Sequence, residues 1–163
     1  MILGMSISTF TQIHVALSLV GILTGFIVVA GLLQSRIAGG ITATFLITTI
    51  LTSATGFLFP VKELLPSHIV GIISLAALAV AVYALYGKRL AGSWRWIYVA
   101  AAIFSLYLNV FVLVAQAFLK VPSLHALAPK GSEPPFVIAQ LVVLVLFVWL
   151  GIRAARSFRP ALA

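Results

Sequence analysis

The sequence predicts an all-α protein, an integral membrane bundle of five transmembrane helices with the N-terminus outside and the C-terminus in the cytoplasm. Three observations predict it. Of the 163 residues, 63% are hydrophobic and 7% charged, whereas a soluble domain carries roughly a quarter of its residues as charges. The apolar residues fall in runs long enough to cross about 30 Å of hydrocarbon, and the mean hydropathy is +1.26. Lys and Arg collect at alternate ends of those runs. A chain of about one domain's length makes residues 1–163 a single helical domain.

The first run covers about residues 12–33. Its leader "MILGMSISTFTQ" has no basic region and no small-residue cleavage site after a short apolar core, so it reads as a permanent helix. The second, third, fourth and fifth runs cover about 41–59, 68–86, 95–119 and 135–157. The connectors "QSRIAGG", "PVKELLPS", "GKRLAGSW" and "KVPSLHALAPKGSEPP" each combine Gly or Pro with a charge, as turns at a membrane surface do. The last closes on "SEPP", with prolines suited to a first helical turn and Glu133 to the positive end of the helix dipole.

Alternate sides of five spans divide the cations unequally. One side holds Arg36, Lys88, Arg89, Arg95, Arg153, Arg156 and Arg159; the other holds Lys62, Lys120 and Lys130, with Glu63 and Glu133. The excess of cations on cytoplasmic loops orients the chain. Lys88, Arg89, Arg95, Arg153, Arg156 and Arg159 then read as anchors for anionic headgroups, and the net charge of +8 points to the lipid bilayer, not to nucleic acid.

The composition also excludes chemistry. Without cysteine there is no disulfide, thiolate nucleophile, Cys-ligated metal or CxxCH haem attachment. There is no Asp, the two Glu residues lie on separate loops, and no phosphate loop, Rossmann fingerprint or Ser–His–acid order is present. No enzyme constellation emerges.

What remains polar inside the spans is the candidate site. In "LYLNVFVLVAQAFLK" (106–120), Asn109 and Gln116 share a helical stripe with Tyr98, Ala102, Ser105 and Val112. An unpaired carboxamide in hydrocarbon costs several kcal/mol, on the order of a lost hydrogen bond to water, so both need partners on other helices. On the first helix His14, Ser18, Gly21 and Gly25 align, and the last two form a GxxxG spacing for close helix packing. The second helix offers a Thr44–Thr48–Thr52–Thr55 stripe, the third opens at His68, and the fifth carries Gln140. In the predicted orientation His14, His68, Asn109, Gln116 and Gln140 form a polar, ligand-capable cluster near the outer face, with Glu63 and Thr55 placed to support the histidines. His125 and Glu133 lie in an outer loop. If a metal ion or b-type haem is bound, His14 and His68 are its ligands, although no HxxxH or HExxH spacing backs them.

The stretches "TGFLFPVKELLPSHIVGIISL" (55–75), "LYLNVFVLVAQAFLKVPSLHALAPKGSEPPFVIAQLVVLVLFV" (106–148) and "HVALSLVGILTG" resemble small uncharacterised bacterial polytopic inner-membrane proteins. The resemblance spans most of the chain and implies a bacterial inner membrane, but it brings no activity. The Trp- and Pro-rich signatures of the five-helix tryptophan-rich sensory proteins are absent.

The leading functional reading is a non-enzymatic membrane protein: an accessory or assembly subunit of a larger membrane complex, or a self-associating bundle, with a ligand-capable outer cluster. One alternative is a haem- or metal-binding redox protein using the outer histidines. Another is an oligomeric small-solute transporter or channel lined by the polar stripes.

Overall fold

The computed structural model describes residues 1–60 and 66–159. The chain is helical, with no strand among the described residues beyond an isolated bridge between Ile2 and Met5. In order the elements are α1 (Ile7–Leu33), α2 (Gly39–Gly56), α3 (Pro66–Val82), α4 (Trp94–Lys120), α5 (Pro122–Leu127) and α6 (Pro134–Ser157). α1, α3 with its C-terminal extension, α4 and α6 are long and apolar enough to cross a membrane. α2 is shorter, 18 residues, and its Thr and Ser content lowers its hydropathy. The connector residues Lys62 and Glu63 lie outside the described residues.

Local chemistry sets the ends. α1 starts earlier than its apolar run because the Ser6 hydroxyl accepts from the Thr9 N–H at 3.1 Å. It stops where Ser35 turns left-handed (φ 55°). There the Gln34 and Arg36 N–H groups both donate to the Gly31 carbonyl, at 2.9 and 2.8 Å, and Ser35 N–H donates to Leu32. α5 and a π-helical turn over Tyr83–Gly87 at the end of α3 are not evident from the apolar pattern. The π-turn closes through Lys88 N–H to the Tyr83 carbonyl at 2.9 Å. The Tyr83 ring lies over Gly87, where a Cβ would come within 2.8 Å of it. Arg89 and Leu90 follow with φ of 47° and 59°. Each left-handed non-glycine residue costs about 1–2 kcal/mol, and burial of the Leu90 side chain in the core offsets it.

The helices pack in two layers. α3, α4 and α6 lie side by side with α4 in the middle; α2 rests against α3 and α4, α1 against α4 and α6, and α1 and α2 pack along each other. α4 is the most enclosed of the long spans and α6 the least. The core joins Leu32, Phe45, Leu78, Tyr98, Leu106, Phe147 and Phe158. Outward-facing side chains such as Leu23, Ile69 and Val145 are apolar and exposed, the surface expected to meet lipid. At one end the Ser35 hydroxyl donates to the Ser157 carbonyl at 2.6 Å and accepts from Arg159 N–H at 3.0 Å, tying α1 to the end of α6. The same end gathers cations over aromatic rings: Lys88 on Tyr83 and Trp94, and Arg95 on Trp96.

Gly21 and Gly25 both face the interior of this chain. A Cβ at Gly25 would lie 2.5 Å from Leu106 Cδ1 and 3.0 Å from the Phe45 ring. Gly25→Ala is therefore expected to destabilise the bundle by about 1–3 kcal/mol through overpacking. The thermal midpoint in mild detergent reads this; an unchanged midpoint means that α1 does not approach α4 this closely.

Candidate functional site

The antiparallel pairing of α1 and α2 lays two polar stripes against each other. His14 meets Thr55 at one end, through Nδ1 and Oγ1 at 2.9 Å. About 10 Å further along α1, at 1.5 Å per residue, Gly21 opposes the middle of α2. A Cβ on Gly21 would sit 3.0 Å from Thr49 Oγ1, 3.2 Å from Thr48 Oγ1 and 3.3 Å from Asn109 Nδ2. Gly21 thus holds the point where α1, α2 and α4 converge, and Asn109 enters the seam there.

Most hydroxyls along these helices satisfy themselves. Thr44, Thr48 and Thr55 donate to the carbonyls of Gly40, Thr44 and Leu51, four residues back, and Thr24 and Ser105 do the same. Thr49 and Thr52 do not: both are buried, and their Oγ1 atoms have no hydrogen-bond partner. Asn109 Nδ2 is likewise buried and unpartnered. The seam therefore runs from two unpaired hydroxyls and an unpaired amide, through Thr55, to an imidazole.

The Thr55 hydroxyl also decides the tautomer of His14. Its single hydrogen is committed to the Leu51 carbonyl at 2.6 Å, so toward His14 it can only accept. His14 must donate from Nδ1–H, which leaves the lone pair on Nε2. The ring stands edge-on to Phe59, centroids 5.3 Å apart. An imidazole with one nitrogen donating to an oxygen keeps the lone pair of the other available to a hydrogen-bond donor or a ligand.

The other predicted site residues are dispersed. His68 is buried at the start of α3 and packs on Phe57, centroids 5.4 Å apart. The two imidazoles thus rest on different rings of the α2 exit. Gln140 projects from α6 toward α4, where Nε2 donates to the Phe111 carbonyl at 3.1 Å and Oε1 is buried without a partner. Gln116 is exposed near the end of α4. Glu63 lies outside the described residues, and His125 is exposed in α5. Among the described residues no group of three His, Cys, Asp or Glu side chains is placed to hold a metal ion.

The buried face of α2 carries Thr42, Phe45, Leu46, Thr49 and Thr52; of the Thr44–Thr48–Thr52–Thr55 stripe that spacing offered for bonds across a helix interface, Thr55 makes one to His14, Thr52 is buried and Thr44 is exposed. Hydroxyls occur on every side of this helix, so spacing alone does not select the face. Phe45 was the discriminating signal, as the bulkiest residue among them. Thr49 and Thr42 therefore emerge as interior polar residues only from the packing, while Tyr98 is buried on the α4 stripe that the spacing predicts.

Glu133 is the one carboxylate in the described residues, at the N-cap of α6. It accepts from Lys130 N–H through Oε1 and from Ser132 N–H through Oε2, each at 3.0 Å. Desolvation, the largest single influence, pushes its pKa up, but the backbone N–H groups of Lys130, Ser132, Glu133 and Gly131 together outweigh it and hold the carboxyl below its ordinary value.

No family model, curated protein or solved structure matches the chain, so the site rests on its own geometry.

Nitrogen NMR of histidine-labelled protein at neutral pH should show His14 as the Nδ1–H tautomer, with Thr55→Val shifting it toward Nε2–H; a wild-type Nε2–H form would break the assignment. For Glu133 the depressed pKa means that the loop is held fully above the unfolded carboxylate pKa, about 4.3, and released as pH falls through the lower folded value. Protection of the Lys130 and Ser132 amides from exchange should disappear over that acidic window, and Glu133→Gln should weaken it already at neutral pH.

Proposed function

We propose that this chain is a five-span protein of a bacterial inner membrane, N-terminus outside and C-terminus cytoplasmic. It has no chemistry of its own and acts as an accessory or self-associating bundle whose α1–α2–α4 seam holds a small polar ligand. α2 as a fifth span is supported by its path along α1, from Phe45 at Gly25, through Thr48 and Thr49 at Gly21, to Thr55 at His14. An 18-residue helix is about 27 Å long at 1.5 Å per residue, close to the roughly 30 Å of a hydrocarbon core. An odd number of spans puts the termini on opposite sides. The clustering of Arg36, Lys88, Arg95, Arg153 and Arg159 toward one side supports a cytoplasmic C-terminus.

The observation that carries the ligand reading is the buried, unpartnered amide of Asn109 beside the unpaired hydroxyl of Thr49 at Gly21. Helices held together by interhelical hydrogen bonds show those bonds made. Here Asn109 Nδ2 and the Thr49 hydroxyl come together behind Gly21 with their hydrogen-bonding capacity unspent, which suits an acceptor-bearing small molecule. The haem- or metal-binding reading keeps one observation in its favour, the lone pair that Thr55 leaves on His14 Nε2.

Gentle purification from native membranes, with a visible spectrum, metal content and identification of co-purifying chains, separates these readings. The proposal expects a colourless preparation with a stoichiometric partner or a defined oligomer; a haem band turns the assignment to redox chemistry, and a strictly monomeric, partner-free species removes the accessory role. Asn109→Leu tests the seam itself. Replacing an unpaired carboxamide by an apolar group of similar volume should leave stability unchanged or raise it by about 1 kcal/mol. A loss of more than about 1 kcal/mol would make Asn109 helix-bonding glue.

A further inference from the structure

α4 and α6 leave an apolar groove of about 230 Å³ between them, with Val99, Ile103, Tyr107, Phe147, Gly151 and Ala155 in its wall. Tyr107 meets Phe147, centroids 5.8 Å apart, and Tyr98 meets Phe158 at 6.4 Å, so the two helices run antiparallel and the end of α6 lies beside the start of α4. From Val99 to Tyr107 the groove follows α4 for about 12 Å at 1.5 Å per residue, close to one leaflet of a roughly 30 Å hydrocarbon core. Gly151 keeps it open: a Cβ there would meet only Ile103 Cγ2, at 3.9 Å. The groove's outer end lies at the cationic end of the bundle. Trp96 stands one turn before Ala100 of the wall, on the same face of α4. The Arg95 guanidinium rests on the Trp96 ring, 4.6 Å from its centroid. Of the Arg95 donors Nε alone is buried, and the terminal nitrogens have no partner among the described residues. Arg156, next to Ala155 in the wall, is exposed at the same end. The one carboxylate among the described residues, Glu133, caps the opposite end of α6.

We propose that this groove binds one anionic phospholipid, with an acyl chain laid between α4 and α6 and its phosphate on Arg95. Apolar walls alone do not select a lipid, because lipid tails are as apolar as the side chains they touch. Charge complementarity at the mouth does. The guanidinium uses its face on the indole, which leaves the terminal N–H groups for phosphate oxygens. With Glu133 at the far end of α6, no carboxylate among the described residues competes for it. The indole of Trp96 also suits headgroup depth, and the length of the groove matches a chain reaching from that depth to mid-membrane. A general attraction of basic residues to anionic lipid has no such geometry: here Arg95 is singled out by the groove it adjoins. The site lies on α4 and α6, away from the α1–α2 hairpin, and does not rest on the Asn109 seam.

The test uses the full chain, delipidated in mild detergent and titrated with phosphatidylglycerol or with phosphatidylethanolamine of the same acyl chains, and native mass spectrometry counts the bound lipid. Wild type should hold one phosphatidylglycerol per chain and bind phosphatidylethanolamine about tenfold more weakly. Arg95→Gln should abolish that preference. Arg153→Gln should keep it, because Arg153 lies over Trp149, outside the groove wall. Gly151→Leu fills the groove and should release the lipid. Equal binding of the two lipids by wild type, a preference that survives Arg95→Gln, or a folded Gly151→Leu that binds as wild type does overturns the proposal. A lipid-free dimer that Gly151→Leu dissociates also overturns it, since the groove then seats a second copy. Thermal midpoints identify a Gly151→Leu bundle that fails to fold; Arg95→Gln, at the half-exposed start of α4, then carries the test alone.

Discussion

The approach of α1 to α2 and α4 through Gly21 and Gly25 is the contact on which the rest of the bundle depends. Lipid tails are as apolar as leucine, so helices in a membrane gain little from hiding apolar side chains from one another and must gain from close packing. At Gly25 that packing is complete: Leu106 and Phe45 fill the space a Cβ would take. Once α1 is seated there, α4 is enclosed on the sides facing α1, α3 and α6. One turn away, the same closeness at Gly21 brings Asn109 against Thr48 and Thr49. The dense packing and the polar seam thus follow from the same pair of glycines.

Within that geometry hydroxyls and carboxamides behave differently. A Thr or Ser in a helix can turn its hydrogen onto the carbonyl four residues back, as Thr24, Thr44, Thr48, Thr55 and Ser105 do. A carboxamide has two donor hydrogens and an acceptor and cannot be satisfied so locally. Gln140 reaches one carbonyl on α4 and leaves its own oxygen unpartnered, and Asn109 leaves its amide nitrogen unpartnered. The density of hydroxyls on α2 is therefore weak evidence for a site. The failure of Thr49 to use its own helix, beside such an amide, is much stronger.

The difference also accounts for what could be read from the sequence. Helix class and the approximate positions of all five long helices were legible, because runs of apolar residues bounded by Gly, Pro and charge leave few alternatives. The ends were less so: Ser6 extends α1 by a local cap, and Tyr83 over Gly87 makes a π-turn that no periodicity announces. Gly21, Gly25, His14 and Asn109 were legible as one interior because each lies on a small or polar stripe. Which polar residues meet was not, since it depends on the lateral order of helices. That order sends Gln140 to the α4–α6 boundary, leaves Gln116 exposed and seats His14 and His68 on different rings. Arg95 was read as one headgroup anchor among six; only the fold sets it at the end of the α4–α6 groove.

The polar seam belongs largely to one hairpin. α1 contributes His14 and Gly21, and α2 contributes Thr49, Thr52 and Thr55. The three-helix layer adds one polar side chain, Asn109 from α4, while α3 and α6 present mainly apolar surface. A hairpin carrying polar groups along its length is a poor membrane insert by itself, because each unpaired group in hydrocarbon costs several kcal/mol, about that of a lost hydrogen bond. Packed on α4 it becomes tolerable, since α4 shields the seam from lipid. The layer of α3, α4 and α6 thus acts as the scaffold, and under the proposed readings contacts to a polar ligand concentrate on α1 and α2 and those to a bound lipid on α4 and α6.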